Sequence, residues 1–368
     1  MSQTDTRFMA LALSLGRRGL GRVWPWPSVG CVIVRTGRIV GRGTSDVATL
    51  RHAEVVALDQ AGSAARGATA YVTLEPCSHH GSTPPCAEAL IAAGVARVVV
   101  ATGDPNPQVA GQGLERLRAA GIRVENGVME AEARADNAGF LSVQESGLPL
   151  VTLKLASSFD GRIATATGHS QWITGPEARR YVHGLRASHD AVLIGAGTAR
   201  ADDPVLTVRD LGVAHQPVRV VASRRLDLPM MSQLARSAGD VPLWLCHGPD
   251  TDTALIEAWG GIGATLLPCD LSGPQLCPAS ILRALAEQGI TRVFCEGGGG
   301  LAASLLQAGL VDELVGFTAG LAIGAGGFPS VAPLDLTRLD EAQRFTLTET
   351  RAIGGDVLHR WRRYGRQR

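Results

Sequence analysis

Residues 70–77 read Ala70-Tyr71-Val72-Thr73-Leu74-Glu75-Pro76-Cys77, in which a short apolar strand pattern leads directly to a cysteine. A helical pattern from His52 precedes it, and a helical pattern from Cys86 and an apolar strand pattern at 97–101 follow it. Strands that alternate with helices at this pitch predict a layered α/β sheet. Ligands of such sheets bind at the carboxyl ends of the strands, which is where Glu75-Pro76-Cys77 falls.

The same alternation continues through the rest of the chain. In the first half we predict a hairpin of residues 29–34 and 38–43, strands at 70–73 and 97–101, and helices at 52–61, from 86, at 114–120 and near 130–141. In the second half we predict strands at 150–155, 191–194, 218–222, 243–246 and 292–295, helices at 176–186, 278–288 and 301–308, and a final strand that frays into the basic tail 360–368.

A domain boundary is predicted near residue 147. Residues 145–149 (Glu-Ser-Gly-Leu-Pro) are rich in turn formers, and a new apolar strand begins at residue 150. A chain of 368 residues is long enough for two or three domains. We therefore expect a first domain at 1–147 and a second at 148–368.

One histidine and two cysteines have the residue types of a zinc site with an open position. His52, Cys77 and Cys86 supply three ligands, which leaves the fourth tetrahedral position for water. Zinc lowers the pKa of such a water, and a carboxylate that is not a ligand then moves the proton. Glu54 has that place in a His-x-Glu followed by Pro-Cys, the pattern of zinc nucleobase deaminases. Both His52 and Glu54 reach one site only near a helix N-terminus.

Two other interpretations of the cysteines stay open. His79 or His80 could supply a fourth ligand and close the site into a structural one. Cys77 and Cys86 could also be reduced core cysteines. Glu54 argues for the catalytic interpretation, because a structural zinc site does not need it.

The bulk composition narrows the class of protein. A net charge of +1 without a long basic run lacks the footprint of a nucleic-acid-binding protein. Seven cysteines scattered through a long chain indicate a reducing compartment. The N-terminal residues predict an amphipathic helix and not a signal peptide, and no apolar run reaches the length of a membrane span. We expect a cytoplasmic protein that acts on a small molecule, and we also expect a homo-oligomer, although the composition does not indicate one.

A second candidate site follows the predicted strand 292–295. Glu296 and four glycines lead from it into a helix, so backbone N–H groups and the helix N-terminus could hold a phosphate. The spacing from Gly297 satisfies a dinucleotide fingerprint, but the acidic residue expected about 20 positions later is missing. A simple helix-entry turn explains the glycines about as well.

Another strand end carries basic residues. The strand 218–222 ends in Ser223-Arg224-Arg225, which could hold the 2′-phosphate of NADPH. NADH would leave those charges unpaired. An exposed basic turn is the alternative.

Long motifs connect the chain to a known family. They are residues 73–86 (TLEPCSHHGSTPPC), 104–111 (DPNPQVAG), 154–162 (KLASSFDGR), 170–174 (SQWIT), 195–204 (GAGTARADDP) and 296–300 (EGGGG). Together they resemble the bifunctional deaminase/reductase family of riboflavin biosynthesis. The likeness implies a cytidine-deaminase-like three-layer α/β/α domain followed by a dihydrofolate-reductase-like α/β domain.

The resemblance also implies the chemistry. The first domain would use Zn²⁺ to deaminate 2,5-diamino-6-ribosylamino-4(3H)-pyrimidinone 5′-phosphate, with Glu54 as proton shuttle. The second would use NADPH to reduce the ribosyl group to a ribityl chain, with Lys154 and Asp202 as catalytic candidates. Lys154 lies on a strand that should be half buried, so it should be paired with Glu296 or the substrate.

The family's binding residues transfer to matching positions of this chain. The cofactor contacts implied are Ala156, Trp172, Thr198, Asp202, Ser223, Gly298, Gly299, Gly300, Leu301, Ala302, Ala303 and Ser304. The substrate contacts implied are Ser170, Arg186, Leu206, Arg209 and Glu296, and Arg186 and Arg209 have the guanidinium forks that bind a 5′-phosphate.

Three positions of the first domain depart from the family pattern. Trp26 stands where the family has an Asn that hydrogen-bonds the pyrimidine, and an indole does not replace an amide that both donates and accepts. Ser82 stands where the family has Arg or Lys for the substrate phosphate, and Arg51 precedes His52 where a small residue or Pro is usual. The alternative is therefore a working reductase fused to an impaired or redirected deaminase. A zinc-stapled interaction module joined to a nucleotide-sensing domain is the alternative outside enzymes.

Overall fold

The computed structural model describes residues 2–46, 48–78, 84–105 and 110–364. The chain forms two compact units, Met1–Ser146 and Gly147–Arg368, here called the first and second units. Within the described ranges, no helix combines the length and the apolar character needed to cross a membrane.

The first unit is built on one mixed sheet. Its strands are β1 (Gly30–Arg35), β2 (Arg38–Thr44), β3 (Thr69–Val72), β4 (Arg97–Val100) and β5 (Arg123–Asn126). The order is β2-β1-β3-β4-β5, with β2, β1 and β3 antiparallel and β3, β4 and β5 parallel. The predicted hairpin is confirmed, because Arg35 pairs with Arg38 across the turn Thr36-Gly37.

Helices cover both faces of this sheet. They are α1 (Gln3–Gly16), α2 (Ala53–Ala61), α3 (Cys86–Ala92), α4 (Gln112–Ala119), α5 (Glu130–Asp136) and α6 (Ala138–Ser146). Successive strand residues point to opposite faces. Ile33 and Val72 therefore pack with α2, α3 and α4, whereas Val32 and Val99 pack with α1 and α5. The predicted three-layer α/β/α architecture is confirmed.

Two elements of the first unit differ from the sequence prediction. The helix expected near 130–141 is two helices that meet at Asn137, whose side-chain oxygen accepts a hydrogen bond from the backbone N–H of Ser28 at 2.9 Å. β5 was not predicted, because its sequence, Arg-Val-Glu-Asn, lacks an apolar run.

The second unit contains a larger sheet and, among its described residues, two short strand pairs. Its strands are β6 (Leu150–Ser158), β7 (Arg162–Ala164), β8 (Ala191–Gly195), β9 (Val218–Ala222), β10 (Leu243–His247), β11 (Thr265–Pro268), β12 (Leu271–Ser272), β13 (Gln275–Leu276), β14 (Arg292–Cys295), β15 (Glu313–Ala319), β16 (Phe328–Pro329), β17 (Phe345–Ile353) and β18 (Asp356–Arg363). Nine of them form one sheet in the order β11-β10-β9-β8-β14-β6-β15-β18-β17, while β12-β13 and β7-β16 pair separately. The strands from β11 to β15 in that order are parallel, and β18 and β17 are antiparallel to their neighbours.

The helices of the second unit connect these strands. They are α7 (Pro176–Ala187), α8 (Ala196–Asp202), α9 (Gln233–Arg236), α10 (Thr253–Gly261), α11 (Pro278–Glu287) and α12 (Gly299–Gln307). The strands predicted at 191–194, 218–222 and 292–295 are confirmed as β8, β9 and β14. Their carboxyl ends lie side by side, so Gly195, Ser223 and Glu296 begin neighbouring loops. Of the basic tail, residues 365–368 lie outside the described residues.

Candidate active sites

The ends of three elements of the first unit bring His52, Cys77 and Cys86 together. His52 has extended backbone (φ −76°, ψ 154°) and is the N-cap of α2, Cys77 follows β3, and Cys86 begins α3. The Nδ1 of His52 lies 3.1 Å from Sγ of Cys86 and 3.6 Å from Sγ of Cys77. All three candidate ligand atoms lie within 4.8 Å of one another. We call these three residues the zinc cluster.

The charges of the zinc cluster depend on one another. A hydrogen bond from the Cys86 thiol is the main cause that lowers the pKa of Cys77, and the same hydrogen bond, together with burial, raises the pKa of Cys86. A hydrogen bond with Cys77 raises the pKa of His52. One thiolate beside a second thiol and an imidazole is a donor set that fits Zn²⁺, since these nitrogen and sulfur ligands are the ones it prefers.

Glu54 lies in the first turn of α2 and is 3% exposed. Burial, with the negative charge of Cys77, raises the pKa of its carboxyl to about 7. It does not belong to the zinc cluster. A buried carboxyl beside a metal site is suited to moving protons.

Two of the three residues that depart from the family pattern lie in the described part of the chain, and they differ in their exposure and in their contacts. The side chain of Trp26 is 56% exposed. Arg51 forms an ion pair with Asp59 on α2. Ser82 lies outside the described residues, as do His79 and His80, the alternative fourth ligands.

In the second unit, the strand ends open into a cavity of about 800 Å³, here called the large cavity. Of the cofactor contacts that the family resemblance implies, its wall contains Ala156, Thr198, Asp202, Gly298, Gly299, Gly300, Leu301 and Ser304. The Gly298 N–H donates to the hydroxyl of Thr198 at 2.9 Å, which ties the glycine loop to α8. A Cβ at Gly297 would lie 3.2 Å from the backbone nitrogen of Gly195, so a side chain there would crowd the neighbouring strand end.

A small cavity of about 420 Å³ adjoins the large one. Of the implied substrate contacts, Ser170, Arg186, Leu206, Arg209 and Glu296 all line it. The two cavities share a wall that consists of Lys154, Ala156, Ile163, Ser170, Thr198, Asp202 and Glu296. A cofactor in one cavity and a substrate in the other would meet at this wall.

Ion pairs fix the charged side chains of the shared wall. Arg186 donates to Glu296 through Nε at 2.5 Å and through Nη2 at 3.1 Å, and Lys154 Nζ lies 3.9 Å from Glu296. Burial alone would raise the pKa of Glu296, but Arg186 and Lys154 outweigh it and lower that pKa. Burial lowers the pKa of Lys154. The predicted pairing of Lys154 with Glu296 is thus present.

Some contacts that the family resemblance implies do not lie where a cofactor or substrate contact is expected. Ser223, Ala302 and Ala303 are buried and do not line either cavity, and Trp172 lines the small cavity. Each guanidinium nitrogen of Arg186 already donates a hydrogen bond: Nε and Nη2 donate to Glu296, and Nη1 donates to the carbonyl of Thr207 at 2.9 Å. Arg209 is exposed, and no ion-pair partner occurs for it within the described residues.

The small cavity also contains residues that the sequence reasoning missed. His183 lines it one helical turn before Arg186, and its Nδ1 accepts the backbone N–H of Arg209 at 3.3 Å. The i, i+3 spacing on the predicted helix could have revealed it. Arg179 stacks over the ring of Trp172, with 4.6 Å between its Cζ and the ring centroid.

Comparison with known proteins assigns families to both parts of the chain. Residues 2–102 match the cytidine and deoxycytidylate deaminase zinc-binding region, and residues 149–359 match the RibD C-terminal domain. The riboflavin biosynthesis protein RibD of Escherichia coli is 44% identical over 96% of this chain and 98% of its own. That of Aquifex aeolicus is 40% identical over 98% and 99%.

Solved structures agree over the full length. A RibD structure from Acinetobacter baumannii has a TM-score of 0.87 at 40% identity and covers 98% of this chain and 99% of its own. A diaminohydroxyphosphoribosylaminopyrimidine deaminase/5-amino-6-(5-phosphoribosylamino)uracil reductase from Thermotoga maritima has a TM-score of 0.85 at 34% identity, with the same coverage. With both domains matched in order and at this identity, the chain belongs to the RibD family of riboflavin biosynthesis proteins.

Proposed function

We propose that this protein carries out two consecutive steps of riboflavin biosynthesis, a deamination in the first unit and an NADPH-dependent reduction in the second. Its family makes it a bifunctional deaminase and reductase. The observation that carries the residue assignment is the convergence of His52, Cys77 and Cys86 beside the buried Glu54. The substrate is 2,5-diamino-6-ribosylamino-4(3H)-pyrimidinone 5′-phosphate, in keeping with the name of the Thermotoga relative.

In the first site, this chain's residues hold the metal and move the proton. The zinc cluster would hold a zinc ion, which would supply a water activated for attack on C2 of the pyrimidine. An oxygen of the Glu54 carboxylate takes a proton from the attacking water and delivers it to the departing amine. Because Glu54 is buried, its carboxylate exchanges that proton with the substrate and not with bulk water.

In the second site, the two cavities orient cofactor and substrate. When bound, NADPH would supply a hydride to C1 of the opened ribose. The glycine loop Gly297–Gly300 at the N-terminus of α12, which has no side-chain cap, would hold its phosphates through backbone N–H groups. Lys154 Nζ, at the shared wall, donates a proton to the substrate atom that gains electrons as the hydride arrives.

The substrate phosphate is assigned to Arg209. Arg186 would have to give up its two hydrogen bonds to Glu296 to bind a phosphate with the same fork, and that would leave the buried carboxylate with only the more distant Lys154. Arg186 instead holds Glu296 in place. The exposed guanidinium of Arg209 at the small cavity is free to bind the phosphate bidentately.

Separate assays of the two activities test the proposal. The expected result is ammonia release from the pathway substrate without NADPH, and NADPH oxidation only with the deaminated product. NADPH oxidation without any ammonia release would favour the alternative of an impaired deaminase. Absence of both activities would favour an interaction module and would contradict the proposal.

Location and assembly are further proposals. All seven cysteines are free, which agrees with a reducing compartment such as the cytoplasm. A homo-oligomer is proposed from the family resemblance alone. Cell fractionation and light scattering test the two statements.

A further inference from the structure

Glu75 is a buried carboxylate that the proposed chemistry does not use. It lies between β3 and Cys77 and is 5% exposed. It accepts backbone hydrogen bonds from Gly111 at 3.1 Å, Gly113 at 3.0 Å and Leu114 at 3.4 Å. These N–H groups belong to the start of α4, whose own N-cap residue, Gly111, has no side chain to cap it. Glu75 therefore caps a helix that is distant in sequence.

The capped turn lies directly against the segment that carries a zinc ligand. A Cβ at Gly113 would be 2.0 Å from the carbonyl oxygen of Pro76, so α4 contacts the residue before Cys77. On the other side, the carbonyl of Cys77 accepts the N–H of Ala87 at 3.2 Å, and its Sγ accepts the N–H of Cys86 at 3.3 Å. Cys77 is thus held between the starts of α3 and α4.

We infer that Glu75 is a positioning residue for the zinc ligand Cys77, because it holds the first turn of α4 against Pro76. The inference rests on the proposed zinc site. The three groups that bond the Glu75 carboxylate within the described part of the chain are all donors, so its position requires an acceptor-only side chain. A glutamine there would direct an N–H towards another N–H and lose accepted hydrogen bonds.

Glu75→Gln tests this in the full-length protein. The readouts are zinc release to a chromophoric chelator and the thiolate-to-metal absorption band after Co²⁺ replaces Zn²⁺. We expect at least about tenfold faster zinc release and a shifted band, with unchanged NADPH oxidation on the deaminated substrate. Glu88→Gln is the matched control, because Glu88 joins α3 to Arg116 of α4 at 2.9 Å on the exposed surface. It should behave like the wild type.

The outcomes separate this inference from the proposed function. A wild-type protein that binds no zinc contradicts the proposed function itself. A wild type that binds zinc, with a Glu75→Gln variant of unchanged zinc release and cobalt spectrum, overturns the inference even if that variant is less stable. If Glu75→Gln does not fold, Glu75→Asp decides, because it keeps an acceptor-only carboxylate on a side chain one methylene too short to reach all three N–H groups. A shifted cobalt band in Glu75→Asp supports the inference, and the wild-type spectrum overturns it.

Discussion

At the scale of residues, we expect deamination to depend most directly on the side chain of Glu54. Glu54→Gln keeps the size of the side chain but removes the proton shuttle. We expect full zinc content and a deamination rate lowered roughly 10²–10⁴-fold. Asp59→Asn, on the exposed side of the same helix, is the control. Ammonia release close to the wild-type rate in Glu54→Gln would remove Glu54 from the mechanism.

Arg225 is the residue best placed to select NADPH. Both arginines line the large cavity, but Arg224 is bound to Asp250 at 2.6 Å and to the carbonyl of Pro274 at 2.9 Å, whereas Arg225 is exposed. Loss of a charged hydrogen bond costs about 1.5–3 kcal/mol, so Arg225→Ala should raise the KM for NADPH roughly 10- to 100-fold. Arg224→Ala is the matched comparison and should change it less. Equal use of NADPH and NADH by the wild type would refute this.

Trp26 is expected to weaken deamination relative to reduction. Its indole replaces an amide that would pair with the base edge, and an unpaired polar group costs about 1–3 kcal/mol. Trp26→Asn should therefore raise deaminase kcat/KM about tenfold and leave reduction unchanged, as should Ser82→Arg, whose position lies outside the described residues. A wild type that deaminates as fast as it reduces, with no gain in either variant, would show that another residue recognises the base.

Residue types alone revealed part of the sites. The zinc cluster and Glu54 follow from a local pattern, since each ligand begins or follows a predictable element. Glu75 was missed because its partners, Gly111 to Leu114, come together with it only in the fold. The sequence also did not show that Arg186 forms an ion pair with Glu296, because a guanidinium fork fits a phosphate and a carboxylate equally well.

At the scale of elements, buried parallel strands were the easiest to predict. β8 is a continuous apolar run, and β9 and β14 are apolar apart from Arg219 and Arg292, as expected of strands covered on both faces. The edge strand β17 was missed because it is mostly exposed and polar. α8 was missed because it has only seven residues and contains Gly197 and Thr198, which are poor helix formers.

The end of α7 provides a pH-dependent contribution to stability. His189 is buried between the carbonyl of Leu185 and the hydroxyl of Thr152, and burial lowers its pKa to about 4. An unfolded histidine has a pKa of about 6.5, so between pH 6.5 and pH 4 the unfolded chain binds a proton that the folded one does not. As the pH falls through that window, His189 should therefore lower the free energy of unfolding by roughly 2–3 kcal/mol.

Denaturant unfolding at pH 7 and pH 4.5 measures this contribution. His189→Gln should be less stable than the wild type at pH 7, because it lacks the native hydrogen bonds. Its additional loss of stability at pH 4.5 should be smaller than that of the wild type. The same pH dependence in both proteins would show that His189 does not titrate in this range.

At the scale of the whole molecule, each unit contains one complete candidate site. The zinc cluster and Glu54 belong to the first unit, and both cavities are lined by residues of the second. The two reactions should therefore respond separately to metal. Such independence distinguishes a bifunctional enzyme from one in which zinc supports the fold of the entire chain.

Zinc removal and titration of zinc back, with both activities followed, tests the central claim most directly. The account predicts that chelation abolishes ammonia release, that one Zn²⁺ per chain restores it, and that NADPH oxidation on the deaminated substrate is unchanged throughout. Ammonia release by the zinc-free protein, or parallel loss of both activities, would contradict the account.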